Sequence, residues 1–119
     1  MPCRVVSSTV PVTTEPIDSE EVEAGHPRSG FTGLHDDDLW SVGVWEHSAG
    51  TSTDVEVDEV FVVLAGRATI EIEGEGALNV GPGDIGILQV GAKTTWTVHE
   101  PLRKIYVTAC PDTDEEADM

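Results

Sequence analysis

The sequence predicts a single all-β domain that closes into a small sandwich or barrel. From residue 39 onward, short runs of β-branched residues are punctuated by Gly, Pro and Asp at the spacing typical of such folds. Residues 67–73 alternate apolar and polar side chains, which indicates a strand with one buried and one solvated face. A chain of 119 residues can bury one core but not two. We therefore expect one domain and no helix.

Three segments are expected along the chain. Residues 1–30 form an acidic N-terminal arm, in which 5–12 are a candidate edge strand and EPIDSEEVEAGHPRSG (15–30) is interpreted as a loop. Residues 31–110 form the barrel. Residues 111–119 form a disordered acidic tail, since they contain no large apolar residue before Met119 to offset the entropy of ordering.

Eight strands are predicted within the barrel, separated by turns rich in glycine. The predicted strands are 39–46, 54–57, 60–64, 68–73, 78–80, 85–88, 94–99 and 103–109. The predicted turns are 65–66, 74–76, 81–84 and 90–91. The run 60–64 is apolar throughout, so we expect it to be covered on both faces.

The charge of the chain excludes two classes of partner. There are 23 acidic and six basic residues, giving a net charge of −17, and the only adjacent basic residues are Arg103 and Lys104. Binding to nucleic acid or to anionic lipid would need a basic patch, because both carry the same sign as the protein. We therefore expect neither partner. The two ends carry five acidic residues each, which leaves −9 on residues 31–110.

The expected location is the cytoplasm. The first ten residues lack the continuous apolar stretch of a signal peptide, and no segment approaches the ~18 apolar residues of a membrane span. Cys3 and Cys110 form neither a metal-ligand pair nor a disulfide framework, so we interpret both as reduced thiols.

Two segments carry paired sequence motifs. Glu59, followed by VFVVLA and Gly66, gives the pattern E-x6-G, and Gly83 is followed by DIGIL, Gln89, Val90 and Gly91. These patterns resemble the two motifs of the cupin superfamily, with Gln in place of the second motif's Pro. The resemblance implies a jelly-roll-like barrel, the double-stranded β-helix.

A narrower resemblance covers about residues 39–109. The segments GVWEHSAGT (43–51), DEVFVVLAGRATI (58–70) and TTWTVHEPLRKIYV (94–107) are similar to the cupin_3 family, which includes the cupin domains of ureidoglycine aminohydrolase. That resemblance implies a small barrel of RmlC-like type. Those aminohydrolases are two-cupin proteins whose metal ligands this chain does not have.

The residues needed for the usual cupin metal site are mostly replaced. Such a site combines three imidazoles with one carboxylate. The matching histidine positions are Thr53 and Val55 in one spacing, Ser52 and Asp54 in another, and Thr94 in the second motif. We therefore expect no tightly held transition metal. The alternative is Mn²⁺ or another divalent ion on a carboxylate set: Glu46, Asp54, Glu56 and Glu59.

Period-2 geometry predicts what lines the barrel. If Glu59 points inward then so does Phe61, and an inward Thr94 brings Trp96 to the same face. With Thr53, these five residues give apolar walls and a few polar groups, as expected of a small-molecule pocket. Two interpretations of Glu59 remain open, a pocket carboxylate or a partner of Arg103 or Lys104. Trp45 and Trp96 either stack on a ligand or belong to the core.

Three functions remain open. The first hypothesis is a small cupin that binds a polar metabolite in its barrel. The second is a metal-dependent hydrolase of a ureide or related amide, and the third is an accessory barrel with a filled interior that binds a partner protein. No catalytic residue is predicted, and whether the protein is an enzyme is left open. Small cupins often pair through an N-terminal strand or a barrel edge, so the resemblance also implies a homodimer, which would protect an exposed edge.

Overall fold

The computed structural model describes residues 3–110 of the chain. Within that range nine strands form one curled sheet. In chain order, β1 to β9 are Glu15–Pro16, Val22–Ala24, Arg28–Asp36, Trp40–His47, Gly50–Val55, Glu59–Ile72, Gly76–Val80, Ile85–Leu88 and Lys93–Ala109. The only helical element in these residues is a single 3₁₀ turn, Ser19–Glu21. The all-β barrel expected from the sequence is thus confirmed.

The two longest strands organise the sheet. β9 pairs with β6 along one side and with both β4 and β5 along the other. β6 also pairs with β7 and β8, and β3 follows β4 at the far side. Strands β6 and β9 run antiparallel from the pair Glu59↔Thr108 to the pair Ile72↔Thr94. Side chains that point inward from β4, β6 and β9 therefore face the same interior.

The turn predicted at 65–66 is wrong. β6 continues through these residues, with register shifts against β9 on both sides of Ala65. Gly66 adopts a φ of +88°, and a Cβ there would lie 2.0 Å from the carbonyl oxygen of Pro101. Glycine allows the strand to bulge and bend without reversing. The break predicted between 99 and 103 is absent for the same reason, because β9 follows the bend of β6.

The strand predicted at 54–57 is also displaced. β5 spans Gly50–Val55, and Glu56 and Val57 lie beyond its end. The backbone N–H of Glu56 donates to the carbonyl of Ala92, and its own carbonyl accepts from the N–H of Gly91. These two bonds pull the chain out of the ladder with β9 and turn the Glu56 side chain into the interior, where it is 5% exposed.

The N-terminal segment differs from the expectation in two places. Residues 5–12 form no strand, because side chains of the sheet, rather than a backbone ladder, bind their carbonyls: Arg103 donates to Ser8 and Val10, and Thr32 donates to Pro11. The loop predicted for 15–30 instead contains β1, β2 and the beginning of β3, which pair with β3, β5 and β4 respectively. The tail predicted at 111–119 lies outside the described residues.

The core lies against the inner faces of the neighbouring strands β6 and β9. Its fully buried members are Phe61, Val63, Ala68, Ile70, Leu88, Trp96, Val98 and Leu102. Phe61 packs directly on the backbone of Gly86, where a Cβ would lie 2.1 Å from the ring. In residues 3–110, no helix has the length and apolar character needed to cross a membrane.

Candidate functional site

A cavity of about 250 Å³ opens among β3, β4, β5 and β9. Its lining residues are Ile17, Glu21, Ser29, Phe31, Trp45, His47, Ser52, Thr53, Asp54, Glu56, Glu59, Trp96, Lys104, Tyr106 and Thr108. A larger groove of about 780 Å³ runs along Glu71, Glu73 and Lys93, whose side chains are exposed. We place the candidate site in the smaller cavity, because the buried charges and the aromatic rings of the barrel meet there. We call it the barrel cavity.

A buried ion pair lies at one wall of the barrel cavity. The ammonium Nζ of Lys104 donates to Oε2 of Glu59 at 2.7 Å, and the two side chains are only 6% and 9% exposed. Lys104 lies on β9 directly opposite Trp45 of β4, and Glu59 lies at the start of β6. Burying two charges costs free energy of desolvation. The attraction between the opposite charges of Lys104 and Glu59 offsets that cost.

Three aromatic rings surround the Lys104 ammonium. Its Nζ is 4.5 Å from the ring centroids of Trp45 and Phe61 and 4.6 Å from that of Trp96. Trp96 also packs against the other two rings at centroid distances of 5.6 and 5.7 Å. The negative faces of such rings attract a cation. The three rings replace part of the hydration that the ammonium loses in the barrel and so hold the ammonium in place.

A second buried carboxylate belongs to Glu56. Its Oε2 accepts a hydrogen bond from the Thr94 hydroxyl at 2.6 Å and another from the Trp96 indole N–H at 3.0 Å. Both donors are neutral. Unlike Glu59, Glu56 has no cationic partner among the described residues. A buried carboxylate held only by neutral donors leaves negative charge in the barrel cavity.

His47 and Ser52 form a buried pair on the same wall. His47 Nδ1 lies 2.6 Å from the carbonyl oxygen of Ser48, which can only accept, so Nδ1 carries the proton. The other ring nitrogen, Nε2, then accepts from the Ser52 hydroxyl at 2.9 Å. Burial, helped by the nearby Lys104 charge, lowers the pKa of His47 below its usual value. The ring is therefore neutral at pH 7 and adds no positive charge to the barrel cavity.

Two ionisable groups that line the barrel cavity lose their protons less readily than usual. Desolvation first, and then the charges of Glu56 and Glu21, raise the pKa of the Asp54 carboxyl group. The pKa of the Tyr106 hydroxyl is also raised, by desolvation first and then by Glu59 and Asp36. Desolvation is the largest cause of both shifts, and nearby negative charge adds to each in the same direction.

The five predicted ligand residues fall in two places. Glu59, Thr53 and Trp96 line the barrel cavity. Phe61 and Thr94 lie behind its wall, where Phe61 is 1% exposed and contacts the ammonium of Lys104, and Thr94 binds Glu56. Of the two interpretations of Glu59, pairing with Lys104 is what the structure shows. That the Glu59 carboxylate binds a ligand stays a prediction.

Three lining residues that carry chemistry were not assigned to the cavity from the sequence: Lys104, considered only as a partner of Glu59, and His47 and Ser52. The signal for Lys104 was available, because it has the same parity as Trp96 along β9 and therefore the same inward face. The predicted break between two strands at 99–103 concealed it. His47 shares the face of Trp45, and the two rings lie 5.4 Å apart.

Three carboxylates of the alternative metal set, Asp54, Glu56 and Glu59, line the barrel cavity, but the four do not converge on one point. Glu46 points to the other face of β4, where it pairs with Arg103. Glu59 is bound to an ammonium and Glu56 to two neutral donors. Across residues 3–110, no group of three or more His, Cys, Asp or Glu side chains is arranged to hold a metal ion. The donor set therefore does not fit the ion.

Comparison with known proteins gives a family and a fold. The model of the Cupin_3 family, described as the EutQ-like cupin domain, matches residues 34–106. No curated protein sequence matches the chain significantly.

Similar solved structures include three at 20–23% identity, which show the fold. EutQ of Clostridium difficile is 23% identical with a TM-score of 0.64, over 72% of this chain and 65% of that one. A DUF861 family protein of unknown function from Pseudomonas syringae is 22% identical with a TM-score of 0.76, over 86% of this chain and 46% of that one. Ectoine synthase of P. lautus is 20% identical with a TM-score of 0.63, over 82% and 70%. The chain thus spans less than two thirds of the first two proteins.

Proposed function

We propose that this chain, which belongs to the Cupin_3 family of EutQ-like cupin domains, binds a small polar metabolite in its barrel without a tightly held transition metal. The observation that carries the proposal is the barrel cavity, where a buried ion pair, a second buried carboxylate and aromatic rings converge. Apolar walls with a few fixed polar groups are typical of small-molecule sites. At about 250 Å³ the cavity is smaller than the range for drug-sized ligands, which favours a metabolite of few atoms.

The two other hypotheses receive less support. An accessory barrel predicts a filled interior, whereas this interior contains an open space. A ureidoglycine aminohydrolase-like enzyme would require at least three metal donors in one place, and the described residues offer no such group. Whether the metabolite is also transformed is a separate question, for which we name no catalytic residue.

Thermal-shift screening of ureides, amino acids and sugar acids tests the proposal, because a ligand that binds only the folded state raises its melting temperature. For any ligand found, Trp45→Leu removes an aromatic wall of the barrel cavity and should weaken binding at least tenfold. Trp40→Leu is the matched control, since Trp40 lies on the same strand outside the cavity. Equal losses in both variants, or no ligand in any of the three classes, would contradict the proposal.

The homodimer and the cytoplasmic location remain part of the proposal. Among residues 3–110, β8 pairs with β6 alone and has one edge without a partner strand, and its residues Ile85 and Ile87 are exposed beside Val60. The patch is apolar and uncharged, so a second copy of this acidic chain meets the least repulsion there, and twofold pairing makes the patch self-complementary.

The oligomeric state is measured by size-exclusion chromatography with light scattering. We expect about twice the 12.7 kDa chain mass, and about one chain mass for Ile87→Glu. Val90→Glu, an equally exposed position in the turn that follows β8, should stay dimeric. A monomeric unaltered protein would refute the dimer.

A further inference from the structure

The charges that line the barrel cavity do not balance. Among residues 3–110, four carboxylates line it, from Glu21, Asp54, Glu56 and Glu59, against one ammonium, that of Lys104. Burial lowers the pKa of His47 below its usual value, so its ring adds no positive charge at pH 7. The ammonium of Lys104 is already bound to Glu59 and enclosed by three rings. Its ion pair is with Glu59, and within the described part of the chain Glu21, Asp54 and Glu56 form no ion pair.

The charge of Glu56 is the one that water compensates least. Its side chain is 5% exposed, and both of its hydrogen-bond donors are neutral and bind the same oxygen, Oε2. Asp54 faces the same cavity from the end of β5. A buried carboxylate is normally paired with a cation, because desolvation without compensation costs several kcal/mol. The cavity is thus built to receive positive charge from outside the chain.

We infer that the barrel cavity takes a small organic amine in its ammonium form, whose positive charge lies at the carboxylates of Glu56 and Asp54 and whose carbon skeleton packs against Trp45 and Tyr106. This inference rests on the proposed function and specifies its ligand class. An ammonium group supplies several N–H donors to carboxylate oxygens and gains further from the adjacent aromatic faces. A metal ion is disfavoured at the same place because no third donor is at hand.

Three probes of equal length test the charge preference: 4-aminobutan-1-ol, butane-1,4-diol and 4-hydroxybutanoate, which are cationic, neutral and anionic at pH 7. Binding is followed at 0.15 M salt by NMR of the indole N–H groups, since those of Trp45 and Trp96 lie at the barrel cavity and that of Trp40 does not. We expect the amine to bind at least tenfold more tightly than the diol, and the acid to bind most weakly. The shifts should occur at Trp45 and Trp96 and not at Trp40.

Two variants locate the charge. Glu56→Gln should weaken amine binding at least tenfold and leave diol binding unchanged, and Asp54→Asn, at the exposed mouth, should act in the same direction if Glu56→Gln does not fold. Glu75→Gln is the control for the general attraction of a cation to an acidic protein, because Glu75 lies in the exposed turn before β7. It should change neither affinity.

The outcomes separate this inference from the proposed function. If the diol or the acid binds as tightly as the amine, the ligand is not chosen by charge and the inference is wrong, while metabolite binding in the barrel stands. If the amine binds but Glu75→Gln weakens it as much as Glu56→Gln does, the attraction is nonspecific and the inference is again wrong. If none of the three probes shifts the Trp45 or Trp96 signal at 10 mM, the inference fails, and the metabolite screen decides the proposed function independently.

Discussion

The buried pair of Lys104 and Glu59 should be strongly coupled in free energy. Lys104→Met keeps the apolar stem but removes the charge, which leaves Glu59 buried without a partner, and breaking a buried pair in this way costs about 3–5 kcal/mol. Glu59→Gln should cost less, because three aromatic rings still face the ammonium. The double variant contains neither charge, so it should lose at least about 2 kcal/mol less than the sum of the single variants.

Urea unfolding measures this coupling. With a slope of about 1.5–2 kcal/mol/M, the Lys104→Met loss lowers the midpoint by roughly 2 M. The matched control is the pair of Arg67 and Glu100, which also bonds across β6 and β9 but is more than half exposed. Its coupling in the variants Arg67→Met and Glu100→Gln should stay below about 0.5–1 kcal/mol. If the buried pair couples no more strongly than this exposed pair, the argument from desolvation is refuted.

Three further predictions concern other parts of the barrel. Burial lowers the pKa of His47, so the unfolded chain binds a proton at this residue more readily than the folded protein does. The free energy of unfolding should therefore fall as pH drops from 7 through about 6.5. Urea titrations measure this fall, which should be smaller in His47→Gln. Gly86→Ala places a Cβ inside a buried phenylalanine ring and should cost about 1–3 kcal/mol, whereas Gly33→Ala, with open space around its Cβ, should cost under about 1 kcal/mol by the same measurement. Arg103→Gln removes the side chain that binds the carbonyls of segment 8–10, so the heteronuclear NOE of that segment should fall while those of β6 and β9 stay unchanged.

The residues on the inner face of the barrel could be predicted from the sequence, because side chains alternate between the two faces of a strand and residues two apart share a face. Glu59 and Phe61 share one face of β6, and Thr94 and Trp96 share one face of β9, as alternation requires. This alternation predicts the inward side chains only as far as a strand continues. The bulge at Gly66 bends both long strands without ending them, and no local pattern distinguishes such a bulge from a tight turn, since both favour glycine with positive φ.

The N-terminal segment shows a second limit of sequence reasoning. Its hydrogen bonds to the sheet come from Arg103, nearly a hundred residues away, and from Thr32. Nothing in the composition of residues 5–12 indicates these partners, because long-range side-chain contacts replace the regular ladder that alternation would predict. The burial of Glu56 is similar, since it depends on backbone bonds to Ala92 and Gly91 rather than on any pattern around position 56.

The place of Lys104 gives the motif glutamate a different task from the one that the cupin resemblance implies. In the usual cupin site that carboxylate helps to neutralise a divalent ion. Here the carboxylate of Glu59 contacts an ammonium attached to the chain itself, on a strand neighbouring its own. A tethered cation cannot be lost to a chelator, so the pair should persist in EDTA, and a melting temperature unchanged by EDTA is the expected result.

The pairing of Lys104 with Glu59 also bears on where a charged ligand can bind. Lys104 pairs with Glu59 and contacts three rings, and among residues 3–110 it forms no ion pair with a second carboxylate. Glu56 and Asp54 line the same barrel cavity and form no ion pair among these residues. This contrast between one paired carboxylate and two unpaired ones is the physical basis on which we infer that the cavity selects its ligand by charge.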